Sequence, residues 1–81
     1  MNTLHTLGHY DSQLTHEVEV DIQQAFRSTR YSALRDVTFL WNDGILMLRG
    51  TVRTYFLKQL AQECVRDVNG VTHVINSIKV A

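Results

Sequence analysis

His5 and His9 stand at i, i+4 spacing, which on a helix would put two metal ligands on one face. No clear third ligand accompanies them, so no metal site is expected. Asp11, Ser12 and His16 supply the residue types of a hydrolytic triad. A triad is defined by geometry, however, and adjacency in sequence carries no weight. The single cysteine, Cys64, falls among apolar residues at helical spacing and reads as a small buried hydrophobe. Asn42, Asp43, Asp67 and Asn69 could gather at one end of the fold and attract a cation, but no spacing among them specifies a site. No arrangement for acid–base or nucleophilic chemistry emerges and no cofactor is implied. The chain is expected to bind rather than to catalyse.

The chain of 81 residues has room for one core, burying roughly 60% of the surface its unfolded form exposes. Eight basic side chains balance eight acidic ones, so any electrostatic steering must come from how the charges are distributed. Proline is absent, which leaves no rigid linker or proline-rich ligand segment, and one cysteine cannot form an internal disulfide. No apolar run reaches the length of a membrane span. The start lacks the basic and apolar regions of a signal peptide, so a cytoplasmic location is expected.

Hydrophobic spacing gives the elements. Residues 1–14 show only scattered Leu4, Leu7, Tyr10 and Leu14 and read as an arm, with the domain proper over 15–81. A helix is predicted from about Thr15 to Arg30, with Val18, Ile22, Ala25 and Phe26 on one stripe. Thr15 would cap it, with Glu17, Glu19 and Asp21 near its positive end and Arg27 and Arg30 near its negative end. Val37, Phe39 and Trp41 then alternate with polar or outward positions as a strand. If Asp43-Gly44 is a two-residue turn, Trp41 pairs with Leu46, Phe39 with Leu48 and Val37 with Gly50. That register places Val37, Phe39, Trp41, Leu46, Leu48, Gly50 and Val52 on one face, which a one-residue slip would destroy. Gly50 on that face suggests a helix backbone close above it.

Thr54 is placed to cap a second helix running to about Asn69, with Leu57, Leu60, Ala61, Cys64 and Val68 inward and Gly70 as its left-handed terminator. A last strand alternates Val74, Asn76, Ile78 and Val80 inward with Ile75, Ser77 and Lys79 outward. A buried Asn76 would need partners and is expected to bond backbone near the second helix. The order is α-β-β-α-β. The fold class is an α/β sandwich (α+β): a three-stranded mixed sheet in order 1-2-3 with two helices on one face.

The run Asp21-Ile22 ahead of Ala25-Phe26, then Asp43-Gly44 with Leu46, Leu48, Gly50 and Val52, then Gly70-Val71 with Val74 and Asn76, resembles the BON domain. That name comes from bacterial osmotic-shock and nodulation proteins. The resemblance covers about residues 17–80. It implies the same α/β sandwich, no catalytic activity, and attachment to phospholipid membranes or binding of small hydrophobic ligands. One branch binds potassium, which makes cation sensing an alternative. Family members are often periplasmic.

The topology sorts charge. The end of the first helix, the start of the second and the end of the last strand share one pole. It collects Arg27, Arg30, Arg35, Arg53, Lys58 and Lys79 with Tyr31, Tyr55 and Phe56. Glu17, Glu19, Asp21, Asp43 and Asp67 collect at the other. Arg30, Tyr31, Arg35, Arg53, Tyr55 and Lys58 are the candidate phosphate-binding residues for an anionic lipid surface. Simple compensation of helix dipoles is the competing explanation. Nucleic acid would meet the same charges, but no recognised nucleic-acid module is present. The uncovered sheet face leaves Leu40, Ile45, Met47 and Ile75 ringed by polar residues, a candidate homodimer or partner interface. Coverage by the arm through Leu4, Leu7 or Leu14 is the alternative.

Overall fold

A computed structural model describes the backbone of residues 3–81 and the side chains from Leu14 onward. The elements are α1 (Thr3–Ser28), a 3-10 helix η1 (Ser32–Asp36), β1 (Thr38–Asn42), β2 (Ile45–Arg49), β3 (Thr51–Val52), α2 (Tyr55–Val65), β4 (His73–Asn76) and β5 (Lys79–Val80). Strands β1, β2 and β4 form a mixed sheet in that order, with β1 antiparallel and β4 parallel to β2. Strands β3 and β5 pair in parallel. Ile45 pairs with His73 and Thr51 with Lys79, the same 28-residue offset, so β3–β5 continues the β2–β4 ladder past a break. Ser77, Lys79 and Ala81 donate across it to the carbonyls of Leu48, Gly50 and Val52.

The hairpin follows the register expected from the sequence. Phe39 pairs with Leu48, Trp41 with Leu46 and Asn42 with Ile45. Asp43 and Gly44 both have positive φ, 49° and 89°, as a two-residue hairpin turn of matching twist demands. The Gly44 carbonyl also accepts from the Thr72 and His73 amides and the Thr72 hydroxyl, tying the turn to the start of β4.

Both helices pack on one sheet face. Val18, Ile22 and Phe26 of α1 meet Ala61 and Val65 of α2 and Leu46, Leu48, Val52 and Ile78 of the sheet in one buried cluster. The same cluster holds Leu34 of η1, and both it and Val65 are fully buried although spacing does not single them out. The Leu34 amide donates to the Tyr31 carbonyl and its own carbonyl accepts from Val37. This one-turn helix therefore inserts a core residue between α1 and β1.

Several expectations need correction. Helix α1 begins at Thr3 rather than near Thr15. An apolar stripe reports burial rather than backbone state, and a nucleated helix extends at low cost beyond its packed stretch. Glu17, Glu19 and Asp21 consequently lie inside α1 and not in its first turn, which holds no acid; Arg27 does sit in its last turn. Helix α2 stops at Val65, with Arg66 as its C-cap, before a turn over 66–70.

The reasons for two glycines change as well. Gly70 does not end the helix directly. It sits at φ +101° in a turn closed by the Val71 amide on the Val68 carbonyl. It is also the point where a helix comes close, since a Cβ there would meet Val18 Cγ2 of α1 at 2.7 Å. Among the described residues no α-helix atom comes within 4 Å of a Cβ built on Gly50. A Cβ there would make ordinary contacts of 3.6 Å with Val37 Cα and 3.7 Å with the Asp36 carbonyl. Its requirement is the φ of +135° at the junction of β2 and β3.

Two polar side chains brace the layers. The Thr54 hydroxyl accepts from the Leu57 amide at 3.1 Å, capping α2 as expected. Asn76 donates to the Lys58 carbonyl at 2.8 Å and accepts from the Ile78 amide at 3.2 Å. One amide thus joins α2 to the break between β4 and β5, so its inward position is satisfied.

Candidate functional site

Among the described residues no polar or charged side chain is buried, so the candidate sites are surfaces. The first surface is built where the last turn of α1, η1, the end of β3 and the start of α2 converge. Packing of η1 against both helices fixes it. Leu34 anchors η1 in the core, which holds Tyr31 at its entry beside α2. The Tyr31 and Phe56 rings meet edge to face, with centroids 5.6 Å apart and planes at 68°. Such a pair contributes about 0.5–1.5 kcal/mol beyond area burial. Both rings remain exposed, as does Tyr55, whose hydroxyl accepts from the Gln59 side chain.

Arg30 follows α1 by two residues, Arg35 lies in η1, Arg53 lies between β3 and α2, and Lys58 is half-buried on α2. The only ion pair among the described residues is Arg66–Glu63, elsewhere on α2. Among the described residues these four cations therefore have no carboxylate at salt-bridge distance. The α2 N-terminus adds the Tyr55 and Phe56 amides, because Thr54 uses its hydroxyl on Leu57 and its carbonyl on the Lys58 amide.

The second surface is the sheet face opposite the helices. Leu40 is 63% exposed and Ile45 and Ile75 are each 46% exposed, while Met47 is half-buried. Leu40 pairs with Met47 and Met47 with Ile75, so three of the four form one row across the sheet. Leu14 does not cover them, being itself exposed on a helix of the other face. Leu4 and Leu7 lie outside the described side chains.

A third feature was not foreseen. A groove runs between α1 and β1, walled by Glu19, Gln23 and Arg27 on α1 and by Arg35, Val37, Thr38 and Phe39, with Phe26 at its base. The sequence shows the row Glu19, Gln23, Arg27 at helical spacing, but only the placement of α1 over the edge strand turns it into a wall.

The isolated candidates resolve simply. His5, His9, Asp11 and Ser12 have side chains outside the described residues. Among those described, no group of three or more His, Cys, Asp or Glu side chains is close enough to hold a metal ion. Cys64 packs against the core, where burial, with a smaller push from Glu63, raises its thiol pKa. It is correspondingly less nucleophilic. The Trp41 indole donates to the Gly70 carbonyl at 2.9 Å, locking the hairpin to the turn beneath α1. No described helix is long and apolar enough to cross a membrane.

The family model for the BON domain matches residues 15–81. The chain belongs to the BON domain family. BON domains are a non-catalytic class of binding domains. No curated protein matches the chain. Within this BON domain the matched glycines prove to be structural, and the exposed features that differ from plain scaffold are the basic aromatic pole, the open sheet face and the groove.

Proposed function

We propose that this BON domain is a non-enzymatic module that docks on anionic phospholipid surfaces through its basic aromatic pole. The observation carrying this reading is the exposed Tyr31–Phe56 ring pair on the elements that also carry or adjoin Arg30, Arg35, Arg53 and Lys58, none of which is paired to a carboxylate among the described residues. Charge compensation of helix ends explains a cation beside α1. It does not explain exposed aromatic rings collected at the same place, at a cost in solvation. At a membrane the combination is useful: guanidinium groups pair with phosphate oxygens while amphipathic rings settle at the headgroup boundary.

The magnitudes suit a reversible contact. Each basic side chain near an anionic bilayer contributes about 1 kcal/mol, falling away within a Debye length. Replacing Arg30, Arg53 and Lys58 together by alanine should therefore weaken co-sedimentation with phosphatidylglycerol vesicles by about a hundredfold at low salt. All three are surface positions, so the fold should survive. Equal sedimentation of the triple variant and the wild type would remove the proposal.

A further inference from the structure

The sheet has two edges, and they are not treated alike. In the β2–β4 ladder the Leu48 carbonyl accepts from Ser77, so Leu46 and Leu48 turn their backbone groups toward β4. Ile45, Met47 and Arg49 then face β1 and bond Asn42, Leu40 and Thr38. The remaining β1 residues, Phe39 and Trp41, direct their N–H and C=O groups outward from the edge. Among the described residues neither finds a backbone partner outside the sheet ladders. On the far edge the ladder breaks between β4 and β5, and the Asn76 side chain caps the Ile78 amide. That edge is blunted in the way natural sheets avoid strand addition, whereas β1 carries no bulge, proline or lysine.

The open edge lies along the groove under α1. Val18 of α1 approaches Gly70, whose carbonyl takes the Trp41 indole, while Phe26 shares the groove with Val37. Hence α1 runs antiparallel to β1. Glu19 stands toward the Trp41 end, and Arg27 and Arg35 stand toward the Val37 end. Phe26 and the half-buried Phe39 give the groove an apolar floor.

We infer that β1 accepts an extended peptide strand from another protein. The strand lies antiparallel to β1, with alternate apolar side chains on Phe26 and Phe39 and acidic residues at its C-terminal end against Arg27 and Arg35. Main-chain bonds to Phe39 and Trp41 supply affinity, and the charged ends set direction. A second copy of the domain does not fit this edge. Two-fold pairing of β1 with itself would stand both α1 helices over strands about 4.8 Å apart. Packed helices need about 8–10 Å. A lone strand brings no helix with it.

The probe is the end-blocked synthetic peptide Lys-Val-Thr-Val-Thr-Val-Glu-Glu, compared with a version in which lysines replace the two glutamates and with one whose central valine is proline. The first should slow amide exchange at Phe39 and Trp41 and bind about fivefold tighter than the lysine-ended peptide, with the proline peptide inactive. The triple variant Glu19→Arg/Arg27→Glu/Arg35→Glu inverts the ends of the groove and should invert the preference, a result that general loss of folding cannot mimic. Unchanged exchange at both amides with the first peptide at about 1 mM would overturn the inference. So would equal binding of all three peptides, or protection of the two amides that appears with protein concentration alone and so assigns the edge to a second copy.

Discussion

Gly70→Ala should be among the most damaging single-methyl changes in this protein, lowering its stability by about 2–4 kcal/mol. Two costs combine. The φ of +101° disfavours any L side chain, by about 1–2 kcal/mol. The new Cβ also falls 2.7 Å from Val18 Cγ2. Val18 is β-branched and sits within α1, where one rotamer dominates, so it cannot swing aside cheaply. In a domain of this size the loss corresponds to a fall in melting midpoint of about 10–25 °C. Adding Val18→Ala should recover the steric part, giving a favourable coupling of about 1 kcal/mol in a double-mutant cycle. Gly50→Ala should show no such coupling, because only backbone conformation is at stake there. A cost below about 1 kcal/mol at Gly70, or no coupling to Val18, would contradict the packing described.

Leu34→Ala should cost about 2–5 kcal/mol, the range for truncating a fully buried leucine. The site is a single turn of 3-10 helix wedged between α1 and α2, which limits how far the cavity can collapse. The same change should loosen Tyr31 from Phe56 and so reduce vesicle binding under conditions where the variant is still folded. Urea denaturation measures the first effect and co-sedimentation the second. A cost under about 1 kcal/mol would mean that η1 is an ornament rather than a wedge.

These two residues show what sequence reading could and could not reach. The hairpin was fully legible, because Asp43-Gly44 dictates a turn type and the period-two pattern accepts only one register. The two helices and the single-faced sheet followed from apolar spacing and crossover handedness. Leu34 was not legible. A five-residue 3-10 element is too short to establish any period, and its one large apolar residue looks like loop. Gly70 has the left-handed φ that its place after a helix predicts, but the close helix lies over Gly70 rather than over Gly50. Sequence can show that a glycine is needed, while only the neighbours of its missing Cβ tell whether the need is space or φ.

The candidate sites divide along the same line. Grouping Arg30, Arg35, Arg53 and Lys58 at one end required only topology. The contact between Tyr31 and Phe56 required η1, and the groove required knowing that α1 overhangs β1. Properties set by which pole or face a residue occupies could be read from order and period. Those set by how two elements approach could not, since no periodicity encodes an interlayer distance.

The most direct test of the basic aromatic pole is a residue-resolved footprint. Amide spectra of the protein would be recorded with phosphatidylglycerol bicelles and with phosphatidylcholine bicelles at about 0.1 M salt, where exposed charges interact over about 10 Å. The membrane-docking account predicts broadening confined to residues 30–35 and 53–58 with the anionic lipid, and little change with the zwitterionic one. Broadening centred on Leu40, Ile45 and Ile75, or equal effects from both lipids, would contradict it.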